Sequence, residues 1–176
     1  AKEQGEKTIL VYDLGGGTFD VTVMRIGAGK IEVICSDGNH ELGGKNWDDA
    51  VMQYLAGEFC SETGFDGDFD EYAQQDLRLK AEKAKQQLSS REEVPVMLDA
   101  AGLRARISIS RTTFDEITQT LLNESIEKTD AAIAVAESKG YKIDEILLVG
   151  GSTRIPAVQE AVKKITGKDP FKGINP

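Results

Sequence analysis

Three glycine clusters stand where backbone N–H groups could be turned onto an anion: Gly15-Gly16-Gly17, Gly43-Gly44 and Gly150-Gly151. Glycine has no Cβ, so such turns can take positive φ and bring N–H groups against phosphate oxygens. One glycine turn alone reads as an ordinary tight turn; three with matched flanks form a pattern. Asp13 and Asp20 bracket the first cluster and Thr18 adds a hydroxyl. Carboxylates beside a phosphate cradle suit Mg2+ held mostly through water. The chemistry indicated is the binding of phosphate groups. Neither G-x-x-x-x-G-K-[ST] nor G-x-G-x-x-G is in the sequence, which disfavours the two commonest nucleotide folds.

The 176 residues carry a formal net charge of −9, which argues against tracking along nucleic acid or docking on an anionic membrane surface. A phosphate ligand must therefore be held locally, by backbone N–H groups, a metal ion or a few placed cations. No apolar run approaches the ~20 residues of a membrane span, and no charged-then-apolar leader resembles a signal peptide. Two cysteines, Cys35 and Cys60, make neither a disulfide framework nor a four-thiolate zinc site. A reducing, cytoplasmic setting fits best. The length suits one ordinary domain. With no initiating Met and a turn-like ending at Ile174-Asn175-Pro176, the chain reads as a piece of a longer protein.

The elements that must position these residues follow from periodicity. Thr8-Ile9-Leu10-Val11-Tyr12 is a β-rich run of the buried kind that leads into the first glycine cluster, and residues 21–26 alternate apolar and polar. Gly27-Ala28-Gly29-Lys30 makes a turn into a third strand over residues 31–35. After a loop through 37–45, Trp47, Val51, Leu55 and Phe59 mark a helix face. An acidic stretch over 64–70 precedes a helix with Leu77, Ala81, Ala84 and Leu88 on one stripe, then two strands over 94–98 and 104–110. Thr113 with Glu116 has the form of a capping box, opening one helix or two that end at Gly140. Ile146-Leu147-Leu148-Val149 is a short buried strand leading through the third glycine cluster to a helix that Pro156 opens. The order predicts an α/β fold, a mixed sheet with flanking helices. Its main body is residues 1–40 with 113–176, and a smaller α+β subdomain is inserted over 41–112.

On the helix before residue 90, positions 82, 85, 86 and 89 form one polar stripe, roughly 120° from the Leu77, Ala81, Ala84, Leu88 stripe. A solvated charged face is the plain reading of it.

Asp13-Leu14-Gly15-Gly16-Gly17-Thr18-Phe19-Asp20 resembles the second phosphate motif of the seventy-kilodalton heat-shock (Hsp70) chaperones, the family of DnaK. Leu42-Gly43-Gly44, Ala81-Glu82-Lys83-Ala84-Lys85 with Leu88-Ser89-Ser90, Val149-Gly150-Gly151-Ser152-Thr153-Arg154-Ile155-Pro156 and Ile174-Asn175-Pro176 are similar to that family in its order. The resemblance covers essentially the whole chain. It implies the actin-like ATPase (ribonuclease H-like) fold and, within it, the second lobe of the nucleotide-binding domain.

The resemblance further implies that ATP or ADP with Mg2+ is the ligand. Gly15, Gly16, Gly17 and Thr18 would hold the β- and γ-phosphates, with Asp13 and Asp20 organising Mg2+ and bound water. Gly150, Gly151, Ser152, Arg154 and Ile155 would flank phosphates and adenosine, and Glu82, Lys85, Gln86 and Ser89 would reach ribose and adenine, with Gly44 in the same set. Partners implied are a first lobe, a peptide-binding domain with unfolded polypeptide clients, a J-domain co-chaperone and an exchange factor. Two departures stand out: Lys45 follows Leu42-Gly43-Gly44 where the family commonly has an acid, and Gln86 stands where some members carry arginine. The rival is an actin-like cytoskeletal filament ATPase; a sugar kinase of the same fold lacks any recognisable sugar-binding set here.

Overall fold

A computed structural model describes residues 5–172; the Ile174-Asn175-Pro176 motif lies outside the described residues. The chain divides into two compact units, Ala1–Gly44 with Leu121–Pro176, and Lys45–Thr120.

The first unit is built on a five-stranded sheet. Strands β1 (Lys7–Leu14), β2 (Phe19–Gly27) and β3 (Lys30–Asn39) form an antiparallel meander. Strand β6 (Glu145–Val149) runs parallel to β1, and β7 (Phe171–Lys172) parallel to β6, giving the order β3-β2-β1-β6-β7. The sheet is thus mixed, as the element order predicts. Strand β3 continues four residues beyond the expected end at Cys35, because residues 36–39 pair with 19–22. Strand β7 was not predicted: at two residues it is too short for any alternation to register.

Every second residue of β1, Thr8, Leu10, Tyr12 and Leu14, is buried, the period of a sheet with a covered face. Helix α3 (Arg111–Ser138) supplies polar contacts along that meander: Tyr12 Oη and Ser125 Oγ are 2.6 Å apart, and Cys35 Sγ donates to the Ala132 carbonyl at 3.3 Å. Burial pushes the Tyr12 phenol up to about 12 against the lowering effect of Ser125. Helix α4 (Pro156–Thr166) opens on Pro156, buries Val158 and Val162, and closes on Gly167 at φ 68.

The second unit holds α1 (Gly44–Thr63) from Lys45 on, α2 (Glu71–Gln87), the hairpin β4 (Glu93–Ala100) with β5 (Leu103–Ser110), and α3 up to Thr120. Trp47, Val51, Leu55 and Phe59 of α1 and Leu77, Ala81 and Ala84 of α2, with Leu88 at its cap, are all buried as the periodicity predicts. Phe59, Phe65 and Phe69 form an aromatic cluster with centroids 5.4 to 6.2 Å apart, which anchors the acidic loop. Asp70 then caps α2 by accepting from the Ala73 N–H at 2.8 Å.

Helix α3 is a single 28-residue helix. Its cap differs from expectation. The helix starts at Arg111, and Ser110 Oγ, not Thr113, accepts a first-turn N–H, that of Thr113 at 3.1 Å. Strand β5 delivers its last residue straight into the capping position, which leaves Thr113 inside the first turn. The expected stop at Gly140 is present, at φ 87, with Tyr141 N–H reaching the Ala136 carbonyl at 3.0 Å in a Schellman arrangement. Among the described residues no helix is long and apolar enough to cross a membrane.

The β2–β3 and β4–β5 hairpins each turn on two residues with positive φ: Ala28 and Gly29 at 49° and 72°, and Ala101 and Gly102 at 51° and 75°. These are type I′ turns, in which Asn is the favoured first residue and alanine pays αL strain. Ala101→Asn is therefore expected to stabilise the chain by about 0.5–1 kcal/mol, read as a higher urea midpoint at unchanged m value.

Candidate functional site

In the first unit, β1 and β6 run parallel and end side by side, with Asp13 paired to Val149. Both leave the sheet at glycines, so the first and third clusters meet at one sheet edge. The Gly15–Thr18 connection closes with Gly15 N–H donating to the Thr18 carbonyl at 3.0 Å. The second cluster joins them: Gly44 N–H donates to the Gly15 carbonyl at 2.8 Å. A Cβ on Gly43 would stand 2.5 to 2.6 Å from the backbone of Gly17. A Cβ on Gly150 would overlap the Leu14 carbonyl, 2.6 Å from its carbon. The three clusters are thus one backbone-on-backbone assembly.

The reason for glycine differs from the expected one. Only Gly150 has positive φ, at 95°; Gly15, Gly16, Gly17, Gly43, Gly44 and Gly151 do not. Gly43 is required by close approach, Gly150 by both φ and close approach. Gly16, Gly17 and Gly151 face open space, where an added Cβ meets nothing within 4 Å. Gly16 and Thr18 are exposed and Gly15 and Gly17 half-buried, so this turn presents bare backbone outward. That is the shape of a cradle a large anion can approach.

After β6, a 3-10 turn over Gly151–Arg154 is locked onto Gly150, whose carbonyl accepts both the Thr153 N–H at 3.1 Å and the Thr153 hydroxyl at 2.6 Å. Ser152 and Ile155 are buried and Gly151 and Arg154 exposed. Ile155 therefore serves the core with its side chain, leaving only its backbone for a ligand.

Asp13 and Asp20 are direct partners across the β1–β2 ladder, where opposed side chains are about 5 Å apart and like charges destabilise. Burial first, and the Asp20 charge second, hold the Asp13 carboxyl above its ordinary range. Gly38, read in sequence as part of a loop, pairs with Asp20 on the other side; a Cβ there would stand 2.8 Å from Asp20 Oδ1. Its missing side chain gives Asp20 its space. Two repelling carboxylates beside a bare backbone cradle fit a hydrated divalent cation, which removes the repulsion.

In the second unit, Glu82 and Gln86 are exposed on α2 and Lys85 is half-buried. Helix α2 ends at Gln87, so Ser89 lies in the turn beyond it, its N–H donating to the Gln86 carbonyl at 3.3 Å. Lys85 Nζ stands 2.8 Å from Asp48 Oδ1 of α1. Desolvation raises the Asp48 carboxyl above its ordinary range, and the Lys85 ammonium opposes that rise. Neither Asp48 nor Gly38 was singled out in the sequence, since the first depends on how two helices pack and the second on how far a strand extends. Arg111, from α3, ties down the turn after α2 by donating to the carbonyls of Leu88 at 2.8 Å and Arg91 at 3.1 Å.

Two predictions follow from this geometry. Gly150→Ala is expected to cost about 3 kcal/mol, whereas Gly151→Ala stays within about 0.5 kcal/mol of the parent, both read by denaturant unfolding. Because the Asp13 pKa is higher folded than unfolded, the folded state binds that proton more tightly. Its ionisation destabilises at neutral pH, and stability is recovered as pH falls through the folded pKa toward about 3.9. Asp13→Asn should therefore melt above the parent at pH 7 by a margin that shrinks as pH falls into the carboxylate range toward about 4, and millimolar Mg2+ should raise the parent more than the variant.

A family model described as Hsp70 protein matches residues 1–176. The mixed sheet with flanking helices is consistent with the actin-like ATPase fold of that family, whose domains bind ATP or ADP with Mg2+ and work with co-chaperones and polypeptide clients. With the match running the length of the chain and the glycine clusters gathered at the strand ends, the conclusion is that the chain belongs to the Hsp70 family.

Proposed function

We propose that this chain is the second lobe of the ATPase domain of a DnaK-like chaperone, in which ATP hydrolysis controls the binding and release of unfolded polypeptides. The observation that carries the reading is the convergence of all three glycine clusters beside the Asp13–Asp20 pair. In this reading the Gly15–Thr18 turn offers backbone N–H groups and the Thr18 hydroxyl to the β- and γ-phosphates. Asp13 and Asp20 would hold Mg2+ and position bound water. The ion, when bound, supplies neutralisation of charge on the phosphate oxygens. Gly150, Gly151, Ser152, Arg154 and the Ile155 backbone flank phosphates and adenosine. Glu82, Lys85, Gln86 and Ser89 serve ribose and adenine, and residues 41–112 form the subdomain that an exchange factor touches. A J-domain partner and a cytoplasmic setting complete the proposal.

Catalysis of this kind rests on positioning and charge stabilisation, and the 176 residues contain only one Gly-Gly-Gly-Thr phosphate turn. The chain by itself should therefore bind nucleotide weakly and not turn it over. On titration with ADP and Mg2+, amide resonances of residues 82–89 and of residues 150–155 should shift. Ser89→Ala and Gly151→Val should each weaken binding by about tenfold. At Gly151 an added Cβ meets nothing within 4 Å and φ is not positive, so Gly151→Val tests ligand space without forcing a left-handed backbone. Shifts confined to residues 13–20 would overturn the adenosine assignment, and multiple turnover of ATP by the purified chain would overturn its inactivity.

A further inference from the structure

We propose that Asp48 is a positioning residue for ribose recognition, holding the Lys85 ammonium in place before nucleotide arrives. This rests on the reading of Lys85 as a ribose contact. Lys85 lies at the border of α2 between the buried Leu77, Ala81, Ala84, Leu88 stripe and exposed Glu82 and Gln86. Its side chain and that of Asp48 are only 13% and 14% exposed, so the pair is screened from water far better than a surface ion pair.

The neighbouring charges are otherwise placed. Asp49 reaches Arg78 at 3.5 Å, and Lys80 reaches Asp76 at 2.7 Å. Glu82, one turn before Lys85, is close enough to raise the Asp48 carboxyl, and its own side chain is exposed. With Asp48 engaging the ammonium, Glu82 need not collapse onto Lys85 and keeps its carboxylate for a hydroxyl donor. A cis-diol presented between an ammonium and a carboxylate finds a donor for one oxygen and an acceptor for the other hydroxyl.

Position matters because a lysine stem has several rotatable bonds whose freedom would otherwise be lost on binding. Asp48 removes that cost in advance, as preorganisation does generally. Asp48 is itself anchored: Trp47 beside it and Val51 one turn on are buried in the core of this unit. Asp48 Oδ1 is buried and lies 2.8 Å from the Lys85 ammonium, so the carboxylate holds the ammonium where water competes least.

The test compares ADP with 2′,3′-dideoxy-ADP, both with Mg2+, binding to the full 176-residue chain by calorimetry. The parent should prefer ADP by about tenfold. Asp48→Asn, which keeps the volume, should abolish most of that preference while leaving affinity for the dideoxy nucleotide unchanged. In a Lys85→Met background, Asp48→Asn should change nothing further, and this double variant leaves no ammonium without its carboxylate. Should Asp48→Asn fail to fold, Asp48→Glu keeps the charge, displaces the ammonium by one methylene and should lower the same preference. Equal losses for both nucleotides would mean a general structural role and overturn the proposal. A preference lost in Lys85→Met but retained in both Asp48 variants would overturn it while sparing the reading of Lys85. A preference unchanged in Lys85→Met would remove that reading and the proposal with it.

Discussion

The constraint on which the first unit depends is the approach of backbone to backbone at the end of β1. Gly43 lies against Gly17, Gly44 donates to Gly15, and Gly150 lies against Leu14. Side chains at Gly43 or Gly150 would push these segments apart by the width of a methyl group, and close-packed interiors do not absorb that freely. Because β1 and β6 are parallel neighbours, their C-terminal ends bring residues far apart in sequence to one edge. Ligand sites in open α/β sheets form at such strand ends.

A second consequence is electrostatic. The ladder register sets Asp13 opposite Asp20, and Gly38 opens room around Asp20. Such a pair is held against its own repulsion by the rest of the sheet, as strained or costly features at functional sites generally are. The sheet around it is accordingly well buttressed: Leu14, Phe19 and Val21 are fully buried, and the Tyr12 and Phe19 rings pack at 4.8 Å. Tyr12 is also fastened to Ser125, whose carbonyl accepts the Thr129 hydroxyl at 2.8 Å. These buried hydroxyls are satisfied, so they add specificity to where β1 sits without leaving an orphan polar group.

The second unit reaches order by different means. Its core is aliphatic and aromatic, from α1, α2 and one face of the β4–β5 hairpin, with the alternation of Val94, Val96 and Leu98 against outward Pro95, Met97 and Asp99 setting the hairpin register. Arg111 and Asp70 serve the two ends of α2, which keeps the helix bearing Glu82 and Lys85 well defined.

Local chemistry was legible in the sequence wherever a short pattern decides the outcome. The alternation in β1, the four-residue spacing of Trp47, Val51, Leu55 and Phe59, Pro156 at a helix start and Gly140 at a helix end each act within one or two turns of chain. The motifs identified the family, because long jointly matched segments in order carry more information than any single turn. What depends on distant segments was not legible. Which glycine is conformationally required, Gly150 and not Gly151, follows from the Leu14 carbonyl beside it. Whether Ser110 or Thr113 caps α3 follows from where β5 stops. That Gly38 faces Asp20 follows from strand pairing, and that Asp48 meets Lys85 follows from helix packing. Each is a through-space contact between residues that no sequence period relates, so only the tertiary structure could decide it.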